Sequence, residues 1–163
     1  MRRTLSDATS TVELLRPDLM SRLDSETLAR ARIALRELLS AFDSAIEADI
    51  SALTLARDRL RSPSPTQEAL RELMTHTELV EAHGNRYAAP LVAAIAGSLS
   101  MLLNHVPEPI ALPLSLVDAH VDALKALAGA FGNRADDPTG IELTHLLREQ
   151  VQSSIQSWRR SAA

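Results

Sequence analysis

The chain has 163 residues, a formal net charge of −4 and no cysteine, and it is 45% hydrophobic but only 2% aromatic. That length supports one core without a covalent or metal staple. The missing thiols exclude a disulfide framework and thiolate chemistry, and the acidic balance argues against a broad phosphate-tracking surface for nucleic acid. Abundant Ala and Leu beside five glycines favour packed helices over β-structure.

Residues 1–22 are mixed polar with Pro17, and a flexible arm or short capping helix is expected there. Met1-Arg2-Arg3-Thr4 has no apolar stretch behind it, so no secretory signal is expected and the cytoplasm is the expected compartment. From Asp24 and Ser25, both good caps, a periodic segment runs through Leu28, Leu35, Leu39, Phe42, Ile46, Ile50, Leu53 and Leu60 with no internal Gly or Pro. It predicts one long helix, or two joined by a slight kink. The arginines between Arg30 and Arg36 alternate with Ala and Leu and read as a solvated face.

Ser62-Pro63-Ser64-Pro65 ends that helix. Thr66 can cap the next, which carries Leu70, Leu73, Met74, Thr77 and Val80 on one side and is expected to end at Gly84-Asn85. The stretch from Tyr87 to Pro107 holds no Asp, Glu, Lys or Arg. Pro90 suits its first turn. Val92, Ile95, Leu99, Leu102 and Val106 recur at helical spacing, and Ala93, Gly97, Ser100 and Asn104 form a second stripe of small or short polar residues. Gly97, Ser98, Ser100 and Asn104 interrupt a run already bounded by prolines, so a central bundle helix is expected in place of a membrane span.

Pro107, Pro109 and Pro113 predict an extended connector. A further helix carries Leu116, Val117, His120, Val121, Leu124, Leu127 and Phe131 and closes at Gly132-Asn133. The last begins near Asp137-Pro138-Thr139, where Thr139 and Glu142 have capping-box spacing, and runs through Ile141, Leu147, Val151, Ile155 and Trp158. The expected fold is all-α, an up-and-down four-helix bundle with an additional N-terminal helical segment, residues 23–163 forming a single bundle domain.

Titratable groups are densest from His76 to Arg86, beside the apolar helix. Glu78 and Glu81, three residues apart, share a helix face away from Leu73, Thr77 and Val80. Paired carboxylates perform acid and base chemistry only when burial separates their pKa values, and a solvated face is the plainer reading. Glu142 and His145 have the Glu-x-x-His spacing of di-iron bundles, but no second copy exists and His145 is expected to be exposed. His120 lies on an apolar side and is expected to be satisfied by one buried hydrogen bond, and His105 to satisfy the last carbonyls of its helix. The sequence has no phosphate loop, nucleophile elbow or His-Glu-x-x-His, which disfavours a conventional hydrolase or nucleotide enzyme. No cofactor, metal, nucleic acid or membrane partner is expected.

Three segments, Leu23-Asp24-Ser25-Glu26-Thr27-Leu28-Ala29-Arg30-Ala31, Tyr87-Ala88-Ala89-Pro90-Leu91-Val92 with Ile95-Ala96-Gly97-Ser98-Leu99, and Val117-Asp118-Ala119-His120-Val121-Asp122-Ala123-Leu124, occur in an order that resembles the bacterial histidine phosphotransfer (HPt) domains of two-component phosphorelays. Together they lie between residues 23 and 131, and the motifs are short and alanine-rich. In that family a His-x-x-Lys-Gly motif exposes the phosphorylated imidazole, with Lys to neutralise the phosphoryl group and Gly to leave room for a receiver domain. Counting back from Pro90 without gaps, the resemblance places Glu78 at the His, Glu81 at the Lys and Ala82 at the Gly. It implies a degenerate module whose partner-binding residues are Glu78, Glu81, Ala82, His83 and Arg86 and whose partner is a response-regulator receiver domain or a sensor histidine kinase. One alternative is an active phosphotransferase using His76 or His83, with Arg86 standing for the Lys. The other is a structural or oligomerisation bundle outside phosphorelays that packs chains through the Ala93, Gly97, Ser100 stripe. Monomer and homodimer are both compatible with these readings.

Overall fold

A computed structural model describes residues 25–129 and 136–162. The chain is helical: α1 (Ser25–Leu60), α2 (Gln67–Arg86), α3 (Pro90–His105), a 3₁₀ turn at Pro109–Ala111, α4 (Leu114–Gly129) and α5 (Pro138–Ser161), with no strand among the described residues. No described helix is long and apolar enough to cross a membrane. The expected arm, together with Phe131 and the Gly132-Asn133 helix end, lies outside the described residues.

Two compact units, Met1–Ala41 and Phe42–Ala163, divide within α1. In the first, the side chains described between residues 25 and 41 are exposed except for half-buried Thr27. Leu28 and Leu35, which the periodicity placed on an apolar core side, are therefore on the surface.

In the second unit α3 lies against α2, α4 and α5. With no charged side chain to solvate, it buries Leu91, Val92, Ala93, Ile95, Ala96, Ser98, Leu99, Leu102 and Leu103. The latter part of α1 adds Ile46, Ile50, Leu53, Ala56 and Leu60 to the same cluster, and Val117, Val121, Leu124, Leu147, Val151 and Ile155 complete it. Burial of each such Val, Leu or Ile side chain is worth about 1.5–3 kcal/mol. Val106, expected in the core row, and Trp158 are only partly covered, and Ile141 is exposed.

Helix ends show where local chemistry prevailed over the expected signals. Thr66 caps α2, its hydroxyl accepting from the Ala69 N–H at 3.1 Å. At α5 the cap is Asp137, whose carboxylate accepts from the Gly140 N–H at 2.9 Å, with Pro138 first in the helix. Thr139 sits inside the first turn instead of starting a capping box. An aspartate just before a proline satisfies a free helical N–H and places the proline where no N–H is missed. The Pro107–Pro113 connector is not wholly extended, because Pro109–Ala111 forms a 3₁₀ turn and Leu112 is buried.

The α2–α3 hairpin differs most from expectation. Helix α2 does not stop at Gly84-Asn85 but runs to Arg86, and Gly84 is buried inside it. A Cβ on Gly84 would lie 2.7 Å from the Ala93 backbone nitrogen, so this glycine permits backbone contact between α2 and α3. The left-handed residue is Ala88, at φ 54°. Beside it the Tyr87 N–H bonds the His83 carbonyl at 3.0 Å and the Ala89 N–H bonds the Gly84 carbonyl at 2.7 Å. Of the small stripe on α3, Ala93 meets Gly84, and Gly97 lies under Glu81. Both residues are thus in contact within the chain, while Ser100 is half-buried and Asn104 exposed.

Gly84→Ala is expected to destabilise the protein by about 1–3 kcal/mol in urea denaturation, as overpacking does, although Ala is the better helix former. Ala88→Gly is expected to stabilise it by roughly 0.5–1 kcal/mol, the relief of a left-handed alanine less the extra freedom of glycine in the unfolded chain. A Gly84→Ala variant as stable as the parent would show that the two backbones can separate without cost.

Candidate functional site

The positions singled out between His76 and Arg86 all lie on α2, and the core face of that helix fixes their directions. Leu70, Leu73, Thr77, Val80 and Gly84 are buried. Thr77 spends its hydroxyl on the Leu73 carbonyl at 2.7 Å, which lets a polar side chain sit in the core. With those residues inward, Glu78 and Ala82, one turn apart, face outward and are exposed, as is Arg86 one turn beyond.

Glu81 does not share the full exposure of Glu78. It is half-buried on the flank towards α3, and a Cβ at Gly97 would lie 3.1 Å from its Oε1. A larger residue at position 97 would drive the carboxylate outward, so Gly97 is part of this site although only the helical stripe hinted at it.

His76 and His83 occupy the other flank, towards α1, and both are half-buried. The His83 Nδ1–H donates to the carboxylate of Asp49 on α1. The ring of Tyr87 lies 6.0 Å from that of His83 at 54°, and the Arg86 guanidinium stands 5.7 Å from the Tyr87 centroid, within cation–π range. His76 lines a small cleft with Ala52, Leu55, Ala56, Arg59 and Glu72, in which Arg59 pairs with Glu72. Its Nδ1 is buried with no hydrogen-bond partner among the described residues.

The two imidazoles differ in their partners, since nothing among the described residues engages the His76 Nδ1. At His83 the carboxylate fixes the proton on Nδ1 and leaves the Nε2 lone pair available. Asp49 is the functional neighbour that the sequence could not supply, since the pairing spans 34 positions and depends on how α1 meets α2.

His120 and His105 are structural. His105 holds the Met101 carbonyl at 2.8 Å, as expected of a residue closing α3. His120 is fully buried and makes two hydrogen bonds where one was expected: Nδ1–H donates to the Leu116 carbonyl at 2.7 Å, and Nε2 accepts from the Ser98 hydroxyl at 3.1 Å. Burial pushes its pKa below the ordinary imidazole range, against a smaller opposing effect of the Leu116 carbonyl. His145 and Glu142 are exposed, and no group of three or more metal-ligating side chains occurs among the described residues.

Comparison with protein-family models, with curated proteins and with solved structures finds no match to this chain.

The buried imidazole sets a pH dependence. The folded pKa of His120 lies below its unfolded value of 6.5, so the unfolded chain takes up the proton first as pH falls. The contribution is complete above that unfolded value and is lost as pH falls from there through the lowered folded value. Urea midpoints are expected to drop across this window, and His120→Gln to remove that part of the drop. Parallel pH profiles for the two proteins would assign the acid sensitivity elsewhere.

Proposed function

We propose that this chain is an HPt-like signalling module of a two-component phosphorelay that docks a receiver domain or sensor kinase through α2 without itself carrying phosphate. In this reading the chain is a four-helix bundle with an additional N-terminal helical segment, and the active position on α2 is held by a side chain that cannot do the chemistry. The observation that carries it is the exposure of Glu78 on the outward face of α2, opposite the buried Leu73, Thr77 and Val80, with Ala82 one turn on. That is the place the resemblance reserves for the phosphoacceptor. A carboxylate there cannot take the imidazole's part, and a second one at Glu81 repels an incoming phosphoryl group instead of neutralising it. The low profile of Ala82 leaves space for a partner to approach.

Incubation with an autophosphorylating sensor kinase and labelled ATP is expected to leave the protein unlabelled. Binding to a panel of receiver domains by biolayer interferometry is expected to find at least one partner, and Ala82→Arg to weaken that complex about tenfold or more without lowering stability, because position 82 is exposed. Acid-labile label on the wild-type protein would overturn the non-catalytic reading.

A second reading is favoured by one specific contact. Asp49 orients His83 with its proton on Nδ1, so that in the neutral ring Nε2 carries the lone pair an imidazole nucleophile requires, whereas nothing orients the His76 ring in this way. A working phosphotransferase would use His83, with Arg86 as the nearby cation. Its label would vanish in His83→Ala and persist in His76→Ala.

A further inference from the structure

Lys125 is the only lysine in a chain that otherwise uses arginine for its positive charges. It lines a cleft of about 580 Å³ together with Ala128 of α4 and with Glu47, Ile50, Ser51 and Leu55 of α1. Clefts of about 300–1,000 Å³ with an apolar lining and a few placed polar groups are the class that holds small molecules. Here Ile50 is buried, Ala128 half-buried and Leu55 64% exposed, which makes the body of the cleft apolar. Its polar groups come from Glu47, Ser51 and Lys125, all exposed.

The two charges at this cleft are unspent. Elsewhere between α1 and α4 facing charges are paired, Arg57 and Arg61 with Asp118. Glu47 and Lys125 form no ion pair or hydrogen bond with each other or with any other described residue. We infer that the cleft binds a small zwitterion with an apolar body, of the size of a hydrophobic dipeptide, with its carboxylate on Lys125 and its ammonium at Glu47. A ligand with one charge would meet one of these groups and leave the other without a counterion. A free amino acid carries both charges on one carbon, whereas groups on separate helices that do not reach each other suit charges held apart by a peptide unit. The two side chains of such a dipeptide would then cover Ile50, Leu55 and Ala128. Lysine suits this place because its compact ammonium rides on a flexible stem whose methylenes can lie along an apolar wall. No residue of α2 lines the cleft, so it is separate from the outward face of that helix.

Because the chain has one lysine, isotope-labelled lysine gives a single backbone amide signal in nuclear magnetic resonance, located at the cleft itself. Titration of the full chain with leucyl-leucine into the millimolar range is expected to move that signal to saturation. Blocking either end, as N-acetyl-leucyl-leucine or as leucyl-leucine amide, is expected to weaken binding about three- to fivefold, the scale of an exposed ion pair. Glu47→Gln is expected to weaken leucyl-leucine by a similar factor and to abolish its advantage over the N-acetyl form. Glu142→Gln, at an exposed position on α5, is expected to leave both unchanged. A signal that does not move, or an affinity indifferent to both blocks, would overturn the proposal. Sensitivity to one block alone would overturn it equally, by assigning the cleft to a singly charged ligand.

Discussion

Between Tyr87 and Pro107 the chain has no ionic side chain with which to engage water, and the architecture of the larger unit follows from that. A helix of this kind is stable only when other elements cover it. Helices α2, α4 and α5 all lie against α3, and the hydroxyls buried in this core are satisfied internally, Ser98 by His120 and Thr77 and Thr144 each by its own helix. An imidazole in this core is tolerated because both its nitrogens are occupied and because it remains uncharged.

The second determinant is distance. Gly84 lets the backbones of α2 and α3 touch at Ala93, and Gly97 gives Glu81 a place to lie a turn further along α3. These two contacts set the rotation of α2 about its own axis. Once that rotation is fixed, the side chains that reach solvent and those that lean on a neighbour are no longer independent. Glu78, Ala82 and Arg86 face out, Glu81 leans on α3, and His76 and His83 turn towards α1.

Much of this was legible in the residues. The all-helical class, the Thr66 cap, the Pro90 start and the inward direction of Leu73, Thr77 and Val80 all come from local periodicity and end chemistry, and each is present. What periodicity cannot supply is the identity of the element across the contact. Gly84 read as a helix terminator because glycine commonly ends helices, whereas the site of close approach depends on α3. Asp137 was overlooked in favour of Thr139 because both are capping residues and only the path of the chain separates them. Leu28 and Leu35 have the spacing of core residues, and spacing alone does not say that a core is within reach. The pairing of Asp49 with His83 left no trace in either local pattern.

Asp118 on α4 receives Arg57 of α1 at 3.4 Å and Arg61, the first residue past the end of α1, at 2.8 Å. Apolar surfaces of leucine and isoleucine are nearly interchangeable from one turn to the next, so they hold two helices together without saying where each should stop. A single carboxylate held by one guanidinium in the last turn of α1 and another just past its end does say so, because a slide of one turn would leave it with one cation or none. The oily interior supplies the adhesion between α1 and α4, and this polar clasp works as a ratchet tooth that selects one alignment among several of similar cohesion.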